Sequence, residues 1–550
     1  MRSLARFPDR RWPPRSDADR RWLAASLLVG ALCYVAYLSL YPEPAQGAGF
    51  YLTAADALRR HGYALPWRVP FYTAGGVPFA YPPLAFYALA VALDLGAAPL
   101  ALARLVPGLV ALAALVPYYA LAREVLESPA RAGTATALLA ITPAALQWHV
   151  AAGGLVRAPA FLFALGTCYA GWRLFAAGDR RWLPPAVALF AATVLTHPVY
   201  ATFAGVSCLA IYAAVDRSPR GVAFGAVVVA GGAVLSAPWW ALVLVRHGPG
   251  VFAGAAGTHA GLGGGLARLG ASFLAPLVAL DGDLPFYLLA FGGALALLGR
   301  RRALLPLWLL VVGYALRQPR FLFVPGSMAA AVLVVDVLAP RARTALARVH
   351  GRGRGASVSS ATAGTAVLVA LVASVLVVGS VAALAPAAGP RHVPPPDDER
   401  YAATPLPPMY VVGGDRAALA WVRANTDHGS RFVVLGDAAE WFPLLSRRPL
   451  LVSPWGAEWA GPAAFRRHRD LYDALAACPT ADCVTRGLRD AGVDPQYLYV
   501  QTGHYTVRRT PHYRGAAARQ SFAASPRYEV VFANDAGFVV HVAERSEATS

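Results

Sequence analysis

Charge is scarce in this sequence, and lysine is missing altogether. Charged residues make up 14% of the 550 positions, hydrophobic residues make up 57%, and all 49 basic residues are arginine. A soluble protein of this length needs far more polar surface, so the composition argues against that class and indicates a polytopic membrane protein. The Gly-rich stretch "AGLGGGLARLG" lacks the Lys-Ser/Thr of a P-loop, and no HExxH or Cys/His metal motif occurs.

The net charge of +19 would suggest nucleic acid as a partner of a soluble protein. Here the arginines form short groups between apolar runs, which is the pattern of cytoplasmic loops in membrane proteins. The distribution therefore predicts membrane lipids as partners and no nucleic acid.

Cysteine is rare as well. Cys33, Cys168 and Cys208 lie within apolar runs, where cysteine behaves as a small apolar residue. Cys478 and Cys483 lie five positions apart in a polar region. They are expected to form a local disulfide if that region faces an oxidising compartment.

The basic groups give an orientation to the apolar runs. Residues 1–22 carry many arginines and are predicted to be cytoplasmic, with a first span over 23–41. Ten further runs give eleven spans in total, the last over 363–386, and five basic loops then fall inside. Residues 82–98 begin Tyr-Pro-Pro and contain Asp94, so a re-entrant or interfacial helix is predicted there. The predicted spans between the first and the last are 100–121, 132–148, 156–176, 184–197, 199–215, 221–245, 284–299, 303–316 and 321–339.

The composition changes after the last span. Residues 387–410 form a Pro-rich linker, and 411–550 alternate helical and strand patterns. The fold prediction is therefore a polytopic α-helical membrane domain over 23–386, followed by a small extracytoplasmic α/β domain.

The first external loop, 42–99, contains the candidate catalytic acids Glu43 and Asp56. Its segment "GFYLTAADALRRHG" has the apolar stripe of an amphipathic helix and a Gly stop. One interpretation is an interfacial helix that seals the fold. The other is a roof over a cavity, in which Tyr81 and other aromatic residues contact a ring-shaped polar substrate.

Other candidate binding residues lie at predicted outer turns. His149 and Arg157 flank Gly153-Gly154, and His197 precedes a proline. Arg157 is either a snorkelling side chain or an anion ligand, and His197 is either a turn residue or a functional one. Arg317 and Arg320 stand where the positive-inside rule disfavours arginine, which predicts phosphate as their partner. Contact with lipid headgroups is the alternative.

These features together resemble the GT-C superfamily of integral-membrane glycosyltransferases, which includes oligosaccharyltransferases, protein mannosyltransferases and aminoarabinose transferases. The resemblance covers roughly residues 20–340 and is carried by "YPPLAFYALA", "ARLVPGLVALAALVPYYALAREV" and "ALLAITPAALQWHVAAGGLVRAP". It implies a polyprenyl-phosphate sugar donor and a glycan, lipid or protein acceptor. It also implies an acid in the first external loop, acting as general base or holding a divalent cation.

This sequence departs from the family at that acid. Gly47, Ala48 and Gly49 occupy the place where many relatives carry Asp or Asp-Glu, so Glu43 and Asp56 are the nearest substitutes. Two functions follow: a glycosyltransferase at the outer face of the cell membrane, or a non-catalytic glycolipid-binding protein of surface-polysaccharide assembly. A transporter ranks last, because no internal repeat is evident.

Overall fold

The computed structural model describes residues 16–258, 283–316, 318–350, 409–508 and 510–543, with a few positions between 265 and 274. The predicted linker over 387–410 and the predicted span over 363–386 therefore lie almost wholly outside the described residues, as does Arg317.

The described membrane part is helical. Its helices are α1 (Asp17–Leu40), α2 (Gly49–Arg60), α3 (Leu84–Asp94), α4 (Pro99–Leu126), α5 (Pro129–Ile141), α6 (Pro143–Val150), α7 (Gly154–Phe175), α8 (Leu183–Val194), α9 (Pro198–Val215), α10 (Pro219–His247), α11 (Gly250–Thr258), α12 (Leu284–Gly299), α13 (Leu304–Ala315), α14 (Pro319–Leu333) and α15 (Ala339–His350). A π-helical stretch, Val334–Leu338, joins α14 to α15. A short hairpin, β1 (Arg68–Val69) with β2 (Val77–Pro78), lies in the loop over residues 42–99, which keeps the name first external loop from its predicted side.

Six of the described helical segments are long and apolar enough to cross a membrane, and the chain is a multi-pass membrane protein. They are α1, α4, α7, α9, α10 and the segment Pro319–Thr344. The apolar helix α3 has 11 residues, which is short for a crossing. The total of eleven spans stays a prediction.

Two helices differ in extent from the predicted apolar spans. Helix α1 begins at Asp17, inside the predicted basic tail, because Ser16 caps it by accepting a hydrogen bond from the Asp19 amide. The predicted span 132–148 is two helices, α5 and α6. Pro143 has no amide hydrogen to donate, and Thr142 before it is extended, which ends the first helix.

The C-terminal domain has a four-stranded mixed sheet in the order β3-β4-β8-β7. Strands β3 (Phe432–Leu435) and β4 (Tyr497–Gln501) are parallel, and β8 (Gly537–Val542) is antiparallel to both β4 and β7 (Tyr528–Ala533). A separate hairpin pairs β5 (Gly503–Val507) with β6 (Thr510–Arg514). Its helices are α16 (Gly413–Asn425), α17 (Phe442–Ser446), α18 (Pro462–Ala477), α19 (Ala481–Asp490) and α20 (Ala516–Ala523), with 3-10 turns at Asp437–Glu440 and Ala457–Ala460.

The predicted α/β pattern of this domain is confirmed, and a disulfide joins Cys478 to Cys483 with a Cα–Cα distance of 5.6 Å. Buried apolar residues of the sheet, including Val433, Leu498 and Val540, form one core with the helices. The domain therefore has a core of its own.

The C-terminal domain packs on the first external loop. The Tyr72 hydroxyl donates to the Glu440 carbonyl oxygen at 2.6 Å, and the Trp441 indole donates to the Gln46 carbonyl oxygen at 3.1 Å. The Leu450 amide donates to the Phe71 carbonyl oxygen at 2.8 Å. These contacts fix the turn Asp437–Glu440 against the start of α2.

Candidate functional site

Helix α2 begins without a capping side chain of its own. Its N-cap residue is Ala48, which has no side chain able to accept from the free amides of the first turn. The carboxylate of Glu440, on the C-terminal domain, accepts a hydrogen bond from the Phe50 amide there. An anion is favoured at this position because the helix dipole and the unpaired amides point toward it.

Two glycines make room for this carboxylate. A Cβ atom at Gly47 would lie 0.8 Å from Glu440 Oε2, so the carboxylate fills the place of a side chain at position 47. A Cβ atom at Gly49 would lie 2.2 Å from the Glu440 carbonyl oxygen and 2.7 Å from the Trp441 Cα atom. The Gly-Ala-Gly run, which lacks the expected acid, is therefore the surface that receives an acid from another domain.

Glu440 is 4% exposed. Burial raises the pKa of its carboxyl to about 8, with a further contribution from the nearby Asp437, and Arg157 and the Phe50 amide oppose the shift. A carboxyl with a pKa near neutrality is suited to accept a proton during a reaction. Asp437 itself accepts hydrogen bonds from the Tyr472 hydroxyl at 2.7 Å and the Arg508 amide at 2.9 Å.

Arg157 and Arg320 lie on two different helices and flank the same indole ring. The guanidinium carbon of each is 5.1 Å from the centroid of the Trp148 ring. Arg320 is 4% exposed, and it also stacks over Tyr200 at 5.4 Å. Arg157 interacts electrostatically with Glu440, and its terminal nitrogen covers Gly153.

Within the described residues, no carboxylate lies within ion-pair distance of either arginine. Arg320 donates to the side-chain oxygen of Gln318, and its Nε is buried without a partner in that part of the chain. Two adjacent cations, one of them fully buried, are costly unless an anion is bound between them. The pair is therefore a strong candidate site for a phosphate or another anion.

His149 positions Tyr200. Its Nδ1 lies 2.6 Å from the Ala145 carbonyl oxygen, so Nδ1 carries the proton. The Nε2 atom of a neutral ring is then an acceptor, and the Tyr200 hydroxyl donates to it at 2.8 Å. His149 thus belongs to the cluster through Tyr200, over which Arg320 stacks.

Aromatic rings connect the residues around Arg320 to the external loop. The Tyr81 ring lies 6.0 Å from the His197 ring, 5.6 Å from Tyr51 and 5.7 Å from Trp459 of the C-terminal domain. His197 caps α9, because its Nδ1 accepts from the Val199 amide at 3.3 Å. Among the described residues, Trp459 Nε1 and Gln46 Nε2 are buried donors without a partner.

The described residues of the predicted binding set therefore meet in one place. Tyr81, His149, Arg157, His197 and Arg320 come from the external loop, α6, α7, the start of α9 and α14. Their roles remain predictions.

The two predicted catalytic acids lie in ion pairs instead. Glu43 pairs with Arg416 of the C-terminal domain at 2.7 Å. Asp56 pairs with Arg59 at 2.6 Å and with Arg60 at 2.8 Å. Partial burial would raise the pKa of Asp56, but hydrogen bonds from these two arginines outweigh it and hold the pKa below its ordinary value. Both acids are suited to holding the fold together, and the geometry favours Glu440 for chemistry.

Sequence reasoning missed Glu440, Tyr51, Tyr200 and Trp459. Two signals pointed to Glu440: the run of small residues where an acid was expected, and the segment "GDAAEW" directly after a buried strand. Polar residues at the end of a parallel strand often form sites.

The described residues near the arginine pair do not form a divalent-cation site. No group of three or more His, Cys, Asp and Glu residues capable of holding a metal occurs in the described part of the chain. Glu440 interacts electrostatically with the guanidinium of Arg157.

Solved structures resemble this chain over most of its length. An oligosaccharyltransferase from Archaeoglobus fulgidus, tethered to an acceptor peptide, has a TM-score of 0.52 and 15% identity, covering 88% of this chain and 69% of its own. The same transferase in complex with Zn and sulfate has a TM-score of 0.51 and 14% identity, covering 86% and 68%. No protein-family model and no curated protein sequence matches.

A third neighbour matches along nearly its whole length. It is ArnT from Cupriavidus metallidurans bound to undecaprenyl phosphate, with a TM-score of 0.50 and 16% identity, covering 94% of this chain and 98% of its own. The chain therefore has the GT-C fold, as the sequence resemblance predicted. At these identities the likeness describes the fold.

Proposed function

We propose that this protein transfers a sugar from a polyprenyl-phosphate carrier to an acceptor at the outer face of the membrane. The observation that carries the proposal is the arginine pair: Arg320 is buried beside Arg157 and has no ion-pair partner among the described residues. A phosphate group satisfies both guanidinium groups, because each can donate two parallel hydrogen bonds.

The surroundings of the pair fit a lipid-linked sugar. Tyr51, Tyr81 and Trp459 pack on one another, Tyr51 and Tyr81 interact with Arg157, and aromatic faces suit the apolar side of a sugar ring. The membrane helices α7, α9 and α14 lie beside the arginines and offer apolar surface to a polyprenyl chain. One neighbour with this fold was solved with undecaprenyl phosphate and another with an acceptor peptide.

A non-catalytic glycolipid-binding protein is the second candidate. The specific observation in its favour is that Gly47, Ala48 and Gly49 leave the external loop without an acid at its usual place. Transfer assays separate the two candidates: membranes containing the protein are supplied with a panel of radiolabelled polyprenyl-phosphate sugars and with glycan, lipid and peptide acceptors. Binding of the lipid without transfer of sugar to any acceptor would support the second candidate.

Arg320→Gln is expected to weaken the binding of undecaprenyl phosphate. Charge-assisted hydrogen bonds contribute about 1.5–3 kcal/mol, so the loss should be roughly 10- to 100-fold in affinity. Binding is measured on purified protein in detergent by titration with the lipid. The matched control is Arg489→Gln on the exposed surface of α19, which should bind like wild type. Equal affinity in wild type and Arg320→Gln would remove the phosphate site from the proposal.

A further inference from the structure

The C-terminal domain contributes a carboxylate that interacts electrostatically with Arg157. Glu440 lies in the turn after β3, with its carboxylate against Gly47 and its carbonyl oxygen against Gly49 at the start of α2. Tyr72, Trp441 and Gln46 hold this turn in place by hydrogen bonds between the domain and the loop. The position is therefore built from both parts of the chain.

We propose that Glu440 is the catalytic base of this protein, supplied by the C-terminal domain to the place where an acid of the first external loop is expected. The inference rests on the proposed function. Its geometric basis is the coincidence of Glu440 Oε2 with a side-chain position at Gly47, together with the hydrogen bond from the Phe50 amide and the interaction with Arg157.

The proposed reaction is a single displacement at the anomeric carbon of the sugar, in which every bond and proton is accounted for. A hydroxyl of the acceptor attacks the anomeric carbon of the sugar, so a carbon–oxygen bond forms. The bond between that carbon and the phosphate oxygen breaks, and its electron pair leaves with the polyprenyl phosphate. Glu440 accepts the hydroxyl proton, and Arg157 with Arg320 stabilise the added negative charge on the phosphate.

Glu440 is more suitable for this task than Glu43, Asp56 or Asp437. A second buried carboxyl, Glu458, lies near Tyr51 and Tyr81, and burial raises its pKa to about 7. Glu43 and Asp56 are neutralised by arginines within 3 Å, as their shortest ion pairs of 2.7 Å and 2.6 Å show. Asp437 accepts three hydrogen bonds from its own domain. Glu440 has a single backbone donor, the Phe50 amide, and its raised pKa makes it a stronger base once ionised.

The inference predicts that a carboxylate at position 47 can replace the one at position 440. Glu440→Ala should lower sugar transfer roughly 100-fold or more, in the range for removal of a general base. Adding Gly47→Asp to that variant should recover at least tenfold of the loss, because the space of the missing carboxylate receives the new one. Gly47 has no positive φ angle, so an L side chain is sterically allowed there. Glu529→Gln, at an exposed site on β7, is the matched control and should transfer like wild type.

Lipid binding distinguishes this inference from the proposed function. Glu440→Ala should bind undecaprenyl phosphate within about threefold of wild type, because the phosphate ligands are the arginines. Loss of transfer with retained binding and rescue by Gly47→Asp would support Glu440 as the base. Normal transfer by Glu440→Ala would overturn the inference and leave the proposed function standing. Loss of transfer with no rescue by Gly47→Asp would assign Glu440 a docking role and overturn the inference as well. Wild type without transfer from any donor would overturn both.

Discussion

Arg157→Leu is expected to lower the kcat/KM of sugar transfer roughly 100- to 1000-fold, which is the range for loss of one preorganised charge stabiliser. Arg157 has two roles in the proposed site. It faces the proposed phosphate position beside Arg320, and it also stabilises the ionised form of Glu440. Removing it weakens the stabilisation of the leaving phosphate and raises the pKa of Glu440 further, so less of the base is ionised at neutral pH.

The matched variant is Arg157→Lys. It keeps the charge and loses the planar fork, so its rate should lie between those of wild type and Arg157→Leu. Thermal unfolding in detergent shows whether each variant is folded. A folded Arg157→Leu protein with a kcat/KM within threefold of wild type would contradict the assignment of this arginine to the site.

Gly49→Ala should reduce transfer roughly 100-fold and lower the unfolding temperature. Alanine in place of glycine normally stabilises a helix by about 0.5–1 kcal/mol, so the expected sign is reversed here. The reason is a clash with the main chain of the C-terminal domain: the new Cβ atom would lie 2.2 Å from the Glu440 carbonyl oxygen. No side-chain rotation relieves that clash, so the turn carrying Glu440 must move, and displacements of about 1 Å cost about 100-fold in rate.

Gly205→Ala is the control for this substitution. Gly205 lies within α9, and nothing described lies within 4 Å of a Cβ atom added there. This variant should have the wild-type rate and an equal or higher unfolding temperature. If Gly49→Ala behaves like Gly205→Ala, the docking of the C-terminal domain on α2 does not position the site.

Much of the fold was predictable because local patterns encode it. Apolar runs gave the positions of α1, α7, α9 and α10, and short segments rich in β-branched and aromatic residues gave the strands β3, β4, β7 and β8. The break between α5 and α6 was missed even though Pro143 marks it, because the apolar composition continues through the break. The hairpin β5–β6 was missed because Pro511 weakens the strand signal, yet it pairs across the hairpin with Thr506.

The site was predictable in part, for a different reason. The outer arginines and histidines stood out because membrane proteins seldom place such residues there without a partner. Glu440 did not stand out, since its position depends on contact between segments far apart in the chain: the neighbouring pair Gln46 and Trp441 is separated by 395 positions. A periodic sequence pattern does not indicate a contact of this kind. The small residues at 47–49 indicate only that another part of the chain packs closely there.

The pH dependence of sugar transfer by the wild-type protein tests the central claim most directly. The Glu440 carboxylate faces Asp437 on its own turn, the Phe50 amide of α2 and Arg157 of α7, and it also interacts with the hydroxyls of Tyr51 and Tyr72. Burial raises its pKa to about 8. Because the base must be ionised, kcat/KM should rise about tenfold per pH unit below 8 and level off above it. A rate that is already constant from pH 5 upward would contradict the account, since the base would then have an ordinary carboxyl pKa.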